Sequence, residues 1–307
     1  MIKLINKNNS IEYFGQALAV SNTGVLAVAY SINRTHTGID VYKVVEDKIT
    51  QVSGVELVDI SPLPYSMSLA LSKDGRYLFC GTAGRVVSLT IYRLNDSGVV
   101  VGKREVMRKQ QPSENPNITA LALSPNYKQL AIGLANDTID LYDIGKDNAL
   151  VKSETITDVP GVRSLAFTDN NVLLAGSPSM DDGAGPIYLY KFIKGEEGFV
   201  LCKTLQDDTP AHDMYGMSLA GSEDGSYILG MDNSKDMKGP LVYASDDRPI
   251  RSLETPQVEN TCELTDQCYG FALGYDTSMY PYIAVSDICS DAVDSQGGTV
   301  YILPVKA

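Results

Sequence analysis

A leucine–alanine pair returns along this 307-residue chain at a near-constant interval, and that regularity limits the available folds more than any local pattern does. It stands at Leu18-Ala19, Leu69-Ala70, Leu121-Ala122, Leu165-Ala166 and Leu219-Ala220, and slightly changed at Leu273-Gly274. Each pair is followed 20 to 27 residues later by a tyrosine behind an apolar residue, at Tyr42, Tyr92, Tyr142, Tyr190, Tyr243 and Tyr301. Unrelated strand pairs would not keep such a step.

The repeat is clearest between Asn117 and Ile144. Thr119 to Leu123 is a short apolar run of small side chains, as a strand covered on both faces requires. Ser124-Pro125-Asn126 is a turn signal, because proline enters a turn with φ already fixed. Gln129 to Gly133 reads as a second strand, Asn136-Asp137 as a turn, and Ile139 to Ile144 as a third strand. No helical period fits this stretch.

A fourth, outer strand follows each tyrosine strand, for example Ile49 to Val55, Leu150 to Ile156 and Val200 to Leu205. Only six residues follow Tyr301, so the last repeat lacks its own outer strand. Ile2 to Ile5 precede the first repeat, and pairing them with Thr299 to Leu303 completes the sheet. Repeated four-stranded sheets whose ends join in this way protect their edges by closing a ring. The sequence therefore predicts an all-β chain, one domain over 1–307: a six-bladed β-propeller of four-stranded antiparallel blades, with the N-terminal strand closing the last blade. Seven blades is the alternative.

Charge and composition narrow the partners. With 25 basic and 38 acidic residues the net charge is −13, which argues against nucleic acid, whose phosphates need a basic face. It suits neutral, cationic or cation-bridged ligands. There is no apolar run near membrane-spanning length and no long apolar segment at the N-terminus, so neither membrane insertion nor a signal peptide is expected. A cytoplasmic location and a virion or extracellular one stay open. Cys80 and Cys202, in or beside strands, read as buried thiols. Cys262, Cys268 and Cys289 fall near long connections, where a disulfide and free thiols are equal alternatives.

Two families resemble these repeats. Leu141-Tyr142-Asp143-Ile144 after a Ser-Pro turn looks like a WD-repeat blade with tyrosine in place of its tryptophan, although the chain has no tryptophan at all. Phe14-Gly15-Gln16-Ala17-Leu18-Ala19, Tyr215-Gly216 and Tyr269-Gly270 resemble FG-GAP (integrin α-type) blades more closely. So does Ala175-Gly176-Ser177-Pro178 followed by Ile187-Tyr188-Leu189-Tyr190. That resemblance implies a propeller used for adhesion or protein recognition. The calcium loops of FG-GAP blades are not matched: Ser21-Asn22-Thr23-Gly24, Ser72-Lys73-Asp74-Gly75 and Ser222-Glu223-Asp224-Gly225 offer too few carboxylates for six to eight oxygen ligands. They read as hairpin turns.

The long connections fall on one face of the last three repeats, at Ser177 to Pro186, Asp232 to Pro240 and Ser286 to Gly298, joined by Gln206 to Tyr215 and Glu254 to Gly270. Variable loops on a rigid scaffold carry binding function. The candidate binding residues are Asp181, Asp182, Asp232, Asp236, Asp287, Asp291, Asp294 and His212. Either the aspartates form an acidic patch for a cation or a basic partner, or they are the ordinary polar residues of surface loops. His36 and His212, the two histidines, read as loop residues without a nucleophile beside them.

The expected function is non-enzymatic recognition of a protein or glycan, as an adhesion protein or as a virion or tail component. The alternative is a calcium-dependent hydrolase of the six-bladed lactonase type, which needs polar residues on the innermost strands. Here those strands carry alanine, serine, leucine and glycine, with Gln16 and Arg163 the polar residues nearest. No cofactor is expected, calcium being the one that the acidic loops keep open.

Overall fold

The computed structural model describes residues 2–5, 11–32, 36–45, 48–57, 67–83, 86–110, 117–178, 185–193, 195–196, 198–205, 216, 218–221, 227–230, 241–244, 251–252, 269–275, 281–287 and 299–304. In chain order the strands are β1 (Ile2–Ile5), β2 (Ile11–Val20), β3 (Val25–Ile32), β4 (His36–Val45), β5 (Lys48–Leu57), β6 (Met67–Leu71), β7 (Tyr77–Thr82), β8 (Val86–Leu94) and β9 (Val100–Gln110). Then follow β10 (Ile118–Leu123), β11 (Gln129–Leu134), β12 (Thr138–Ile144), β13 (Leu150–Ile156), β14 (Ser164–Asp169), β15 (Val172–Gly176), β16 (Ile187–Phe192) and β17 (Phe199–Leu205). The last are β18 (Leu219–Gly221), β19 (Tyr227–Gly230), β20 (Leu241–Ala244), β21 (Arg251–Ser252), β22 (Tyr269–Tyr275), β23 (Pro281–Asp287) and β24 (Thr299–Pro304).

Four sheets are described nearly throughout, each in chain order from its first strand to its outer strand: β2-β3-β4-β5, β6-β7-β8-β9, β10-β11-β12-β13 and β14-β15-β16-β17. Two further sheets, β18-β19-β20-β21 and β22-β23-β24-β1, are described mainly in their strands. Consecutive antiparallel meanders of four strands make this an all-β propeller with four-stranded blades. The chain divides into two compact units, one of residues 1–118 with 260–307, the other of residues 119–259.

In the first unit, β1 pairs antiparallel with β24, Ile2 opposite Ile302 and Ile5 opposite Thr299. The pairing anticipated between the two ends of the sequence is therefore present, and it gives β24 a partner on its outer side.

The tyrosine period has a packing cause. Tyr42 is buried with Leu26 and Val28 against Ala284, Val300 and Ile302 of the last sheet. Tyr92 is buried against Ala27, Ala29 and Ile39 of the first sheet. In the second unit Tyr190 packs against Ala131, Ile139 and Leu141 of the third sheet. These three third-strand tyrosines thus fill the seam toward the preceding blade. Alanines on the facing strands leave room for their rings, which is why small and aromatic residues recur together.

A bulge accompanies that tyrosine. The register between third and outer strands slips at Val41/Tyr42, Leu141/Tyr142 and Leu189/Tyr190, leaving Val52, Ser153 and Cys202 as the extra residues. A bulge increases strand twist; it recurs at this place in three sheets, while in the second the slips fall at Leu89/Thr90 and Arg93/Leu94.

The serine-led hairpins form closed turns. Ser72 Oγ donates to Asp74 Oδ1 at 2.7 Å and accepts from the Tyr77 amide at 2.9 Å. Ser124 Oγ does the same with Asn126 Oδ1 (2.8 Å) and the Gln129 amide (2.9 Å). The Asp74 carboxylate also accepts the Arg76 amide at 3.0 Å, so this side chain serves its own turn.

Candidate functional site

Of the residues singled out from the sequence, Asp181, Asp182, Asp232, Asp236, Asp291, Asp294 and His212 lie outside the described residues. Asp287 ends β23, where its backbone pairs with Tyr269 and Thr299. His36 is not a loop residue: it opens β4 opposite Ile32, because the strand extends to that point. Cys80 is buried, and burial pushes its thiol up to about 12. Cys202, by contrast, is exposed, because it is the extra residue of an outer-strand bulge. Cys262, Cys268 and Cys289 lie outside the described residues.

The phenylalanine–glycine motif turns out to be an inter-blade joint. Phe14 is fully buried, and Gly15 adopts φ +96°, a conformation side chains other than glycine's rarely take. Its carbonyl accepts a hydrogen bond from Ser286 Oγ at 2.7 Å. In the second unit Gly216, at φ +81°, offers its carbonyl to Ser164 Oγ at 2.7 Å. The donors come from different strands: Ser286 lies opposite Gly270, and Ser164 opposite Gly176. In both cases a serine faces a glycine across the sheet, and at Gly176 the missing side chain makes room for the Gly216 carbonyl.

Buried polar groups collect near the start of the first sheet. Gln16 Nε2 donates to Ser31 Oγ at 3.5 Å, and Ser31 stands opposite Thr37 in the β3–β4 register. Gln16 Oε1 and Thr37 Oγ1 have no partner among the described residues. On the adjoining second sheet, Thr82 and Ser88 bond each other at 2.9 Å. Sequence reasoning noted Gln16 alone; the serines and threonines carry no signal until the register is known. Arg163, the other polar candidate, is exposed, and its amide bonds the Gly176 carbonyl at 2.9 Å.

Ionisable side chains within the blades are engaged by their own strands. Asp40 is buried, with Oδ1 accepting the Tyr30 hydroxyl and Oδ2 the Tyr42 hydroxyl, both at 3.2 Å. Burial raises the Asp40 carboxyl above the ordinary carboxylate range, against the lowering effect of these hydroxyls and of Gln51. Both tyrosines are held well above their ordinary value, by burial first and by the Asp40 charge second. The matching position of the third sheet is Asp140, which meets Lys152 Nζ at 2.8 Å and the Thr155 hydroxyl at 2.9 Å. Glu154 accepts the Phe199 amide of the next sheet at 2.8 Å. Among the described residues no group of three histidine, cysteine or carboxylate side chains is placed to hold a metal ion. No helix among them is long and apolar enough to cross a membrane.

No family model matches the chain, and no curated protein matches it in sequence. Solved structures do. The periplasmic gluconolactonase PpgL of Pseudomonas aeruginosa aligns with a TM-score of 0.56 at 17% identity, over 95% of this chain and 87% of that one. A chain of the Mitotic Checkpoint Complex aligns with a TM-score of 0.56 at 15% identity, over 100% of this chain and 95% of that one. At such identities the likeness speaks for architecture alone. The chain shares the β-propeller fold with both.

Proposed function

We propose that the chain is one recognition propeller of six blades, a single domain closed by its N-terminal strand, that binds a protein or glycan through the long connections of the fourth to sixth blades. The observation that carries this reading is the content of the first strands. Ala17, Ala120 and Ala122 line them with Ser68 and Ser164, and the carboxylates of the blades, Asp40 and Asp140, are engaged by tyrosine, lysine and threonine within the same sheet. A rigid scaffold whose reactive groups are tied into its own strands suits binding by surface loops. The aspartates of those loops, with His212, are the contact residues of this proposal. The likeness to a protein of the Mitotic Checkpoint Complex supports protein recognition, in so far as that neighbour belongs to a protein assembly.

The second reading is a lactonase-type hydrolase with calcium at the acidic loops, favoured by the likeness to a gluconolactonase. One experiment separates them: gluconolactone hydrolysis followed by pH-stat, with millimolar calcium and then with EDTA, alongside thermal melts in the same buffers. A ligand bound to the native state raises its stability. The recognition reading expects the buffer rate and unchanged melts. Calcium-dependent hydrolysis with a raised melting temperature overturns it.

A further inference from the structure

The outer strand of the second sheet differs in charge from the other outer strands. β9 has eleven residues, an outer strand about 35 Å long at the usual rise per residue. Among the described residues it pairs as a strand with β8 alone, its Val100 amide donating to Ser53 Oγ of β5 at 3.3 Å, so its far side is the outer edge of the sheet. Within it Lys103, Arg104, Arg108 and Lys109 stand against the single acid Glu105, in a chain whose net charge is −13. The other long outer strands carry one cation each, β17 having Lys203 without an acid. β5 carries Lys48 and Glu56, and β13 carries Lys152, tied to Asp140, and Glu154.

Register places these cations on both flanks of the edge. Lys103, Glu105 and Arg108 lie opposite Tyr92, Thr90 and Ser88, on one face of the sheet. Arg104 lies opposite Ile91 and Gly102 opposite Arg93, on the other face. A side chain at Gly102 would meet Arg93 Nε at 3.7 Å, so the Arg93 guanidinium lies over the outer strand at Gly102. Lys103, Arg104 and Arg108 are exposed, and the Arg108–Glu105 pair, 3.5 Å apart and half-exposed, adds little of its own.

We infer that the β9 edge is a docking site for an acidic peptide segment, which adds to the second blade as a fifth strand. An added strand turns successive side chains to opposite flanks. Carboxylates at neighbouring positions would therefore meet Lys103 and Arg108 on one side and Arg93 on the other. Backbone pairing supplies affinity and the flanking charges supply selection. Charged residues on an edge also serve to prevent sheet-to-sheet aggregation, but that task needs no cations on both flanks and would apply equally to β5 and β13.

The test uses the full chain and fluorescence anisotropy with a labelled peptide of repeated Glu-Glu-Val triplets. Two probes accompany it: the same peptide with proline for valine, and a single-stranded oligothymidylate. The glutamate–valine peptide is expected to bind. Lys103→Glu/Arg108→Glu, folded by circular dichroism, should weaken that binding about tenfold, the effect of about 1.4 kcal/mol. The proline peptide, which keeps the charge but loses backbone donors, should bind about tenfold more weakly than the valine peptide. Equal binding of the proline and valine peptides, tighter binding of oligothymidylate, unchanged affinity in the variant, or no peptide binding at low salt each overturns the inference.

Discussion

Replacing Gly15 by alanine tests the inter-blade joint quantitatively. Gly15 sits at φ +96° with its carbonyl bonded to Ser286 Oγ at 2.7 Å. An added methyl would fall on Ser286 Cβ and lie 3.2 Å from Val300 Cγ2. Holding alanine at such a φ costs about 1–3 kcal/mol, and overpacking a closed seam adds about 1–3 kcal/mol. We therefore expect Gly15→Ala to cost about 2–6 kcal/mol. For 307 residues, at about 2.1 cal/mol/K of unfolding entropy each, one kcal/mol corresponds to roughly 1.5 °C. The expected fall in melting temperature is thus about 3–9 °C. Ser286→Gly alone removes the hydroxyl and should cost about 1–2 kcal/mol. In the double variant the overlap with Ser286 Cβ is gone, so its cost should fall short of the sum by about 1–3 kcal/mol. Thermal and urea unfolding of the four proteins measures this cycle. A neutral Gly15→Ala, or costs that add to within about 0.5 kcal/mol, would refute the joint.

Two further predictions follow from burial. Because burial raises the Asp40 carboxyl in the folded state, the native protein binds that proton more readily than the unfolded chain does. Stability should accordingly gain from this group as pH falls from its raised folded value toward the ordinary carboxylate value of about 4. Asp40→Asn should lose that gain, so the difference in melting temperature between parent and variant should grow as pH falls through that window; parallel pH profiles would contradict it. Iodoacetamide at pH 8 should modify exposed Cys202 in the native protein and spare Cys80, whose thiol is pushed up to about 12. Peptide mapping that finds native Cys80 alkylated as fast as Cys202 would place it wrongly in the core.

Much of the fold was legible in the sequence because the repeat obeys packing that every blade shares. Leu150–Ile156 is the outer strand at the bounds its pattern gave, and Ile2–Ile5 meets β24 as the orphan strand required. Tyr42, Tyr92 and Tyr190 mark seams that must be filled. What could not be read lies where side chains depend on register. Asp40 looks like a surface aspartate in a strand of alternating polarity, yet its hydroxyl partners Tyr30 and Tyr42 turn it inward. Gln16, Ser31 and Thr37 become one buried group only once β2, β3 and β4 are aligned. Cys202 is exposed through a bulge that a strand pattern does not announce. That the basic residues of β9 fall on the outer strand of a sheet shows only in the pairing.

The proposed recognition propeller depends on the pairing of the terminal strand with β24. Deleting Met1 to Lys7 strips β24 of its partner and removes Leu4, which packs with Ile302 and Val300. Losing that burial and the strand's hydrogen bonds should cost about 3–5 kcal/mol. The measurement is a thermal melt of the truncated chain beside the full one, with hydrogen exchange read over Thr299–Pro304. The account predicts a melting temperature lower by about 5 °C or more, with β24 amides losing protection. A truncated chain that melts within about 2 °C of the full one, with β24 still protected, would contradict it.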